Sequence, residues 1–257
     1  MPPMVLTFAA SDPTGGAGLQ ADLLTIAALG CHPLSVVTAL TAQDTRGVER
    51  MLPIEAAWIT AQAERLLADI DVAAFKAGVL GSAQNVRAVS ELIAKHATVP
   101  FVVDPVLASG RGDPLAAQDG IDALRELILP RTTMLTPNSL EARLLAEGAR
   151  DLAECARRLV DQGCEYVLIT GTHEDGAEVV NTLYDESGIV REDRWPRLPA
   201  SYHGSGCTLA SAVAAGLAQG LEPAEAAREA QHFTWEALAA GFKPGAGQHL
   251  PNRFFRR

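Results

Sequence analysis

Val5-Leu6-Thr7-Phe8-Ala9, then Ser11-Asp12-Pro13-Thr14-Gly15-Gly16-Ala17-Gly18, then a helical pattern that stops at Gly30, is the stretch from which the fold is read. An apolar run that opens through a glycine-rich turn into a helix is one half of a βαβ unit, and glycine is a common helix terminator. The pattern then recurs. Residues 33–38, 74–77, 101–104 and 166–170 read as further strands, with helices expected near 83–96, 120–129 and 152–162. Pro53 is expected to open another helix, in which Ile54, Ala57, Trp58, Ala61, Leu66 and Ile70 recur near helical spacing, so Trp58 is read as core. This alternation predicts an α/β chain around a mostly parallel sheet. Residues 178–184 and 188–194, on either side of Asp185-Glu186-Ser187-Gly188, predict an antiparallel hairpin at the sheet edge. Two closing helices are expected over 208–220 and 223–240, with loop after Gly241.

Composition narrows the class. At 257 residues and 48% hydrophobic content, with no repeat or linker, one domain spanning 1–257 is expected. The formal net charge of −10, with Lys and Arg clustered only at the tail 253–257, argues against a nucleic-acid partner. No segment reaches the roughly 18 apolar residues of a membrane span. Cys31, Cys155, Cys164 and Cys207 form no Cys-x-x-Cys pair and have no zinc-type His spacing. Four free thiols in a reducing cytoplasm are expected, without a structural metal.

In an open α/β sheet, ligands bind beyond the carboxyl ends of the strands, so the chemistry is sought in those loops. His203-Gly204-Ser205-Gly206-Cys207 precedes a long small-residue helix, and a glycine turn at a helix N-terminus suits phosphate. Cys207 at that end is expected to have a lowered thiol pKa, fit to take a proton from an alcohol or to hydrogen-bond it. Read alone, the motif is equally a glycine turn with one buried cysteine. Asp104-Pro105 closes the run Phe101-Val102-Val103 and opens into Ser109-Gly110-Arg111-Gly112-Asp113-Pro114, which makes Asp104 a cleft carboxylate or an Asp-Pro turn. Thr136-Pro137-Asn138-Ser139-Leu140-Glu141 carries a second acid, and a capping box with Asn138 at the cap explains the same spacing. With both acids facing the cleft, Asp104 and Glu141 can hold Mg²⁺ beside a nucleotide phosphate. Gly15-Gly16-Ala17-Gly18 lacks the Gly-x-Gly-x-x-Gly spacing, which disfavours a Rossmann dehydrogenase. Gln43, in Thr41-Ala42-Gln43-Asp44-Thr45, both donates and accepts and so suits the edge of a heteroaromatic ring, although Gln43 and Asp22 also fit plain loop polarity.

Six ordered motifs together give a resemblance that extends along almost the whole chain. They are residues 10–22, Thr38-Ala39-Leu40-Thr41-Ala42-Gln43-Asp44-Thr45, Lys76-Ala77-Gly78-Val79-Leu80-Gly81-Ser82, Val103-Asp104-Pro105-Val106, residues 136–141, and residues 203–209. The chain resembles the hydroxymethylpyrimidine/phosphomethylpyrimidine kinases, the thiamine-pathway branch of the ribokinase-like superfamily. The resemblance implies a ribokinase-like three-layer α/β/α sandwich, in a homodimer, that uses ATP and Mg²⁺ to phosphorylate 4-amino-5-hydroxymethyl-2-methylpyrimidine and then its monophosphate. It implies that Gly204, Ser205, Gly206 and Cys207 form the anion hole, with Cys207 where sugar kinases of the superfamily place a catalytic aspartate. It further implies that Gln43, Asp22 and Gly18 meet the substrate, that Val79 and Val106 pack against its ring, and that Asp104, Asn138 and Glu141 organise Mg²⁺ and its waters. Thr170 and Thr172 fall on the nucleotide side, where Thr170 stands in the place of a lysine frequent in the family and Arg111 is a candidate to compensate. Val79 stands where methionine is frequent. A pyridoxal or pyridoxine kinase and a non-catalytic pyrimidine-binding protein are the alternative readings.

Overall fold

The computed structural model describes residues 1–108 and 115–256; the loop 109–114, with Arg111, lies outside the described residues. Among the described residues nine strands form one sheet in the order β3-β2-β1-β4-β5-β6-β7-β8-β9. β1 (Met4–Ser11), β2 (His32–Gln43), β4 (Ala74–Ala77), β5 (Phe101–Val103), β6 (Met134–Leu135) and β7 (Tyr166–Thr170) run parallel. β3 (Val48–Pro53) pairs antiparallel with β2 at one edge, and the hairpin β8 (Glu178–Asp185) and β9 (Gly188–Pro196) closes the other. β4, β5 and β6 are short and wholly buried and β1 and β7 are buried except at their ends, as strands covered on both faces must be, while the longer β2 is only partly buried.

The two faces carry separate cores. On one side Phe8, Phe75, Phe101 and Leu135 pack beneath α2 (Ala56–Leu67), α3 (Ala83–Ala94), α4 (Gln118–Ala123) and α6 (Leu152–Asp161). On the other, Val5, Ala74, Val102 and Met134 pack against α1 (Gly18–Ala28), α7 (Ser205–Ala218) and α8 (Pro223–Ala239). Consecutive residues of one strand thus feed opposite helix layers, as the two-residue period of a strand requires. Among the described residues no helix is long and apolar enough to cross a membrane.

Two expectations need correction. Pro53 ends β3 instead of opening α2, which begins at Ala56. β3 is exposed and carries Glu49 and Arg50, so it gives little apolar signal. The buried face of α2 is Ile59 and Ala63, with Leu66 and Ile70 packed against the core, and this leaves Trp58 64% exposed. The chain after Gly241 is loop, as expected, tied down by isolated bridges of Phe242 to Leu250 and His249 to Tyr202.

Candidate active site

The carboxyl ends of β5 and β6 set two acids side by side. Asp104 follows β5 directly, its N–H bonded to the Ala77 carbonyl at 2.9 Å, and its side chain is 4% exposed. Asn138 caps α5 (Ser139–Leu145), and the capping box forms in full. The Asn138 Oδ1 accepts the Leu140 and Glu141 N–H groups at 2.9 Å each, while Glu141 Oε2 accepts the Asn138 N–H at 2.9 Å. The other Glu141 oxygen accepts the Leu107 N–H at 3.4 Å. Burial, and then Asp104, push Glu141 up to about 8. Burial raises Asp104 to about 6, against the pull of Lys76.

One oxygen of Asp104 is buried with no hydrogen-bond partner. Two crowded carboxylates with an orphaned oxygen make a donor set that a hard cation would relieve, so Asp104 and Glu141 fit Mg²⁺. Asn138 does not fit as a direct ligand, because its carbonyl oxygen already serves two N–H groups of the helix cap. Among the described residues no group of three or more His, Cys, Asp or Glu is placed to hold a metal. Two protein carboxylates are the usual complement for Mg²⁺, which keeps waters and binds substrate phosphates besides.

Facing these acids is the N-terminus of α7. Gly204 occupies its cap with φ +84°, a left-handed conformation, and a side chain there would overlap the carbonyl of Gly16. Only glycine meets both demands. No side chain among the described residues caps α7. Both Asp104 oxygens lie 3.7 Å from the point where a Cβ on Gly206 would stand. The helix end and the acid pair therefore border one space.

Cys207 sits between them, buried, accepting the Gly18 N–H on its sulfur and donating its S–H to Asp104. The expected lowering of its pKa is not found. Burial first, and Asp104 next, push the thiol up to about 12, which outweighs Lys76 and the helix end. At neutral pH Cys207 is a protonated donor. Gly18 is held in place by more than this bond, since its φ of +56° and its contact with the Ala10 carbonyl exclude a side chain.

Asp22 does not line the site. It is wholly buried on α1, where it takes Lys76 Nζ at 3.0 Å on each oxygen, the Thr7 hydroxyl at 2.6 Å and the Ser211 hydroxyl at 2.8 Å. Lys76 on β4 thus places a buried positive charge within reach of Cys207 and Asp104 without a basic surface. Burial works against the ammonium, but Asp22, with Cys207 and Asp104 beyond, holds its pKa above the usual lysine value.

Of the residues expected on the substrate side, Gln43, Val79 and Val106 divide between two cavities. Gln43, with Pro13, Thr14, Thr45, Arg46 and Gly245, lines an open cleft of about 430 Å³. The Gln43 amide donates to Thr41 Oγ1 at 2.8 Å. Val79 and Val106 line a separate cavity of about 60 Å³ beneath α3. Gly16, two residues past Thr14, abuts Gly204 and so joins the Gln43 cleft to the α7 end.

A family model described as phosphomethylpyrimidine kinase matches residues 12–252. The chain belongs to this family. A hydroxymethylpyrimidine/phosphomethylpyrimidine kinase of Streptomyces coelicolor is 44% identical, with 96% of this chain and 92% of that protein covered. The Escherichia coli protein of the same name is 36% identical over 91% of this chain and 90% of its own. Among solved structures, a Clostridium difficile phosphomethylpyrimidine kinase superposes with a TM-score of 0.79 at 32% identity, covering 92% of this chain and 99% of its own. A Staphylococcus aureus pyridoxal kinase in complex with AMP-PCP and pyridoxal gives 0.88 at 29% identity, covering 99% and 94%. The three-layer fold of this phosphomethylpyrimidine kinase family member is the ribokinase-like one.

Thr170 and Thr172, expected on the nucleotide side, lie at and just beyond the end of β7. Thr170 ends β7 and spends its N–H on the Pro137 carbonyl at 2.9 Å. The following loop is gathered by Arg197, which donates to the carbonyls of Thr172, Glu174 and Gly176 at 2.8, 2.6 and 2.8 Å. Arg197 gave no signal in the sequence because it precedes the loop-like Leu198-Pro199 and lies far along the chain from the residues it serves. Asp12 and Lys76 were both within quoted motifs, yet nothing local assigned them a role. Asp12 proves to be the centre of the first glycine loop, accepting the Thr14 and Ala17 N–H groups at 2.8 and 2.7 Å, with His203 at 3.0 Å.

Proposed function

We propose that this kinase transfers the γ-phosphoryl group of ATP to the hydroxymethyl oxygen of 4-amino-5-hydroxymethyl-2-methylpyrimidine, and then to the resulting monophosphate. The observation that carries the reading is the unpartnered buried oxygen of Asp104, paired with Glu141 and set against Gly206 at the α7 end. Phosphoryl transfer asks a protein mainly for alignment and charge neutralisation, and this arrangement offers both. In the reading, N–H groups of Gly204, Ser205, Gly206 and Cys207 cradle the transferring group. Mg²⁺ held by Asp104 and Glu141 supplies neutralising charge on the phosphate oxygens. Cys207, its S–H engaged with Asp104, positions the acceptor hydroxyl by accepting a hydrogen bond on its sulfur; as the hydroxyl oxygen bonds the γ-phosphorus and ADP leaves, the hydroxyl proton passes to an oxygen of the transferred phosphoryl group. Gln43 reads the heterocycle edge from the open cleft and Thr170 and Thr172 lie along the nucleotide, while Val79 and Val106, which line the separate cavity, are not assigned to the ring.

The high structural similarity to pyridoxal kinase keeps vitamin B6 alcohols as the second acceptor class. Products from ATP, Mg²⁺ and the pyrimidine alcohol, resolved by mass spectrometry beside a kcat/KM comparison with pyridoxal, test the choice. Mono- and diphosphate with a preference for the pyrimidine are expected; preference for pyridoxal overturns it, and no product at all favours a binding protein. We further propose one kinase domain acting as a cytoplasmic homodimer. The exposed cross-strand pair Leu40 and Leu52 on β2 and β3 supports self-association, and four free, buried cysteines fit a reducing compartment.

A further inference from the structure

The C-terminal segment carries a cation that neither the motifs nor the matched family region includes. Arg253 lies one residue beyond the match and is 4% exposed, far below what an arginine in a polar tail shows. Its Nη2 donates to the Gly16 carbonyl at 2.6 Å, its Nη1 to the Gly15 carbonyl at 3.4 Å and its Nε to the Thr208 hydroxyl at 3.1 Å. Among the described residues it has no carboxylate within salt-bridge distance.

These acceptors are the two halves of the phosphate cradle. The peptide between Gly16 and Ala17 is gripped at both ends, its carbonyl by Arg253 and its N–H by Asp12 at 2.7 Å. The peptide before it is gripped likewise, its carbonyl by Arg253 and its N–H by Thr14 Oγ1 at 3.1 Å. On the other side, the Thr208 hydroxyl that accepts from Arg253 donates to the Gly204 carbonyl at 2.7 Å. Gly204 packs in turn against Gly16. One planar guanidinium therefore fixes the glycine loop, the α7 cap and the distance between them.

A buried guanidinium without an ion pair is costly, and its remaining charge is directed at whatever lies near. Cys207, Asp22 and Asp12 are the titratable groups that feel it, and burial lowers its pKa to about 10, which leaves it charged at neutral pH. We propose that Arg253 is a positioning residue for phosphoryl transfer: it locks the Gly15-Gly16 loop to the first turn of α7 and adds a fixed positive charge behind the anion hole. It touches neither substrate nor nucleotide in this account. The proposal rests on the reading of residues 204–207 as that hole.

Steady-state kinetics of R253M, R253K and T208V, each checked for folding by circular dichroism, test it. R253M should lower kcat by about 10- to 100-fold with both KM values within about threefold, the signature of an interaction used in the transition state. R253K should recover part of the loss, since lysine keeps the charge without the fork. T208V, which keeps shape but removes the hydroxyl relay, should lower kcat several-fold by the same pattern. If R253M folds with kcat within twofold of wild type, however much its melting temperature falls, the role is only structural and the proposal fails. Should R253M not fold, T208V decides, with unchanged kcat again overturning the proposal. G206A separates the two readings, because its methyl fits sterically yet intrudes on the hole. If G206A keeps full kcat, the anion-hole reading is wrong; if G206A loses activity and R253M does not, only Arg253 is misassigned.

Discussion

Glu141→Gln should make the metal-free protein more stable at alkaline pH and no more stable at acid pH. In the folded chain Glu141 has a pKa raised from 4.5 to about 8, by burial and then by Asp104. A folded pKa above the unfolded one means the native state binds the proton more tightly. That stabilisation is fully present below about pH 4.5 and is lost as pH rises through about 8. At about 1.4 kcal/mol per unit the whole rise would correspond to about 5 kcal/mol, but Asp104 and Glu141 share a single repulsion, so about half is the better scale. For a chain of this size each kcal/mol moves the melting temperature by roughly 2–4 °C, giving roughly 5–10 °C. Glutamine retains an oxygen for the Asn138 N–H, so the cap survives the change. The assay is thermal unfolding in EDTA from about pH 5 to about pH 8.5, repeated with excess Mg²⁺. Wild type and E141Q should coincide at the acid end and separate at the alkaline end, and Mg²⁺ should raise wild type more than E141Q. A difference that does not change with pH, or an E141Q that is less stable at alkaline pH, would refute the crowded-carboxylate reasoning.

Lys76→Met leaves Asp22 buried without its cation and should cost about 3–5 kcal/mol in urea unfolding, while D22L/K76M recovers most of it; a single variant within about 1 kcal/mol of wild type would show the pair to be idle. Cys207, with its thiol near 12, should react with iodoacetamide far more slowly than a free cysteine at neutral pH and accelerate only toward strongly alkaline pH; rapid loss of activity at neutral pH would mean a thiolate. Thr170→Lys places a cation after β7, beside the Arg197-gathered loop, and should lower KM for ATP several-fold with little change in kcat; an unchanged KM would mean that the loop does not meet phosphate.

Legibility followed locality. β4 and β7 have the bounds that their apolar runs predict, and α7 follows from an unbroken small-residue pattern. β3 escaped because its residues face solvent on both sides, and Trp58 misled because a helix with alanine on several faces fits more than one apolar stripe. The same division holds within the site. The placement of Gly204, Gly206, Asp104 and Glu141 was legible because a backbone turn, a strand end and a cap are local events. The roles of Asp22 and Lys76 were not, since they are set by a contact between residues 54 positions apart. Arg253 is more remote still, with acceptors 237 and 45 residues away. No spacing rule reaches that far.

The misjudged thiol explains the site's charge pattern. Asp104 and Glu141 already crowd one another, and the compensating cations Lys76 and Arg253 lie behind the glycine loops, engaged with Asp22 and with backbone carbonyls. A third carboxylate at position 207, where sugar kinases of the superfamily carry aspartate, would sit in hydrogen-bond reach of Asp104 and add to the repulsion in the same buried volume. A neutral donor does the opposite: the Cys207 S–H bonds the Asp104 carboxylate and favours its ionised form. An ionised Asp104 is the form that binds a divalent cation. The high thiol pKa, which at first looks like a handicap for a catalytic cysteine, is thus what lets two acids stand side by side at the α7 end.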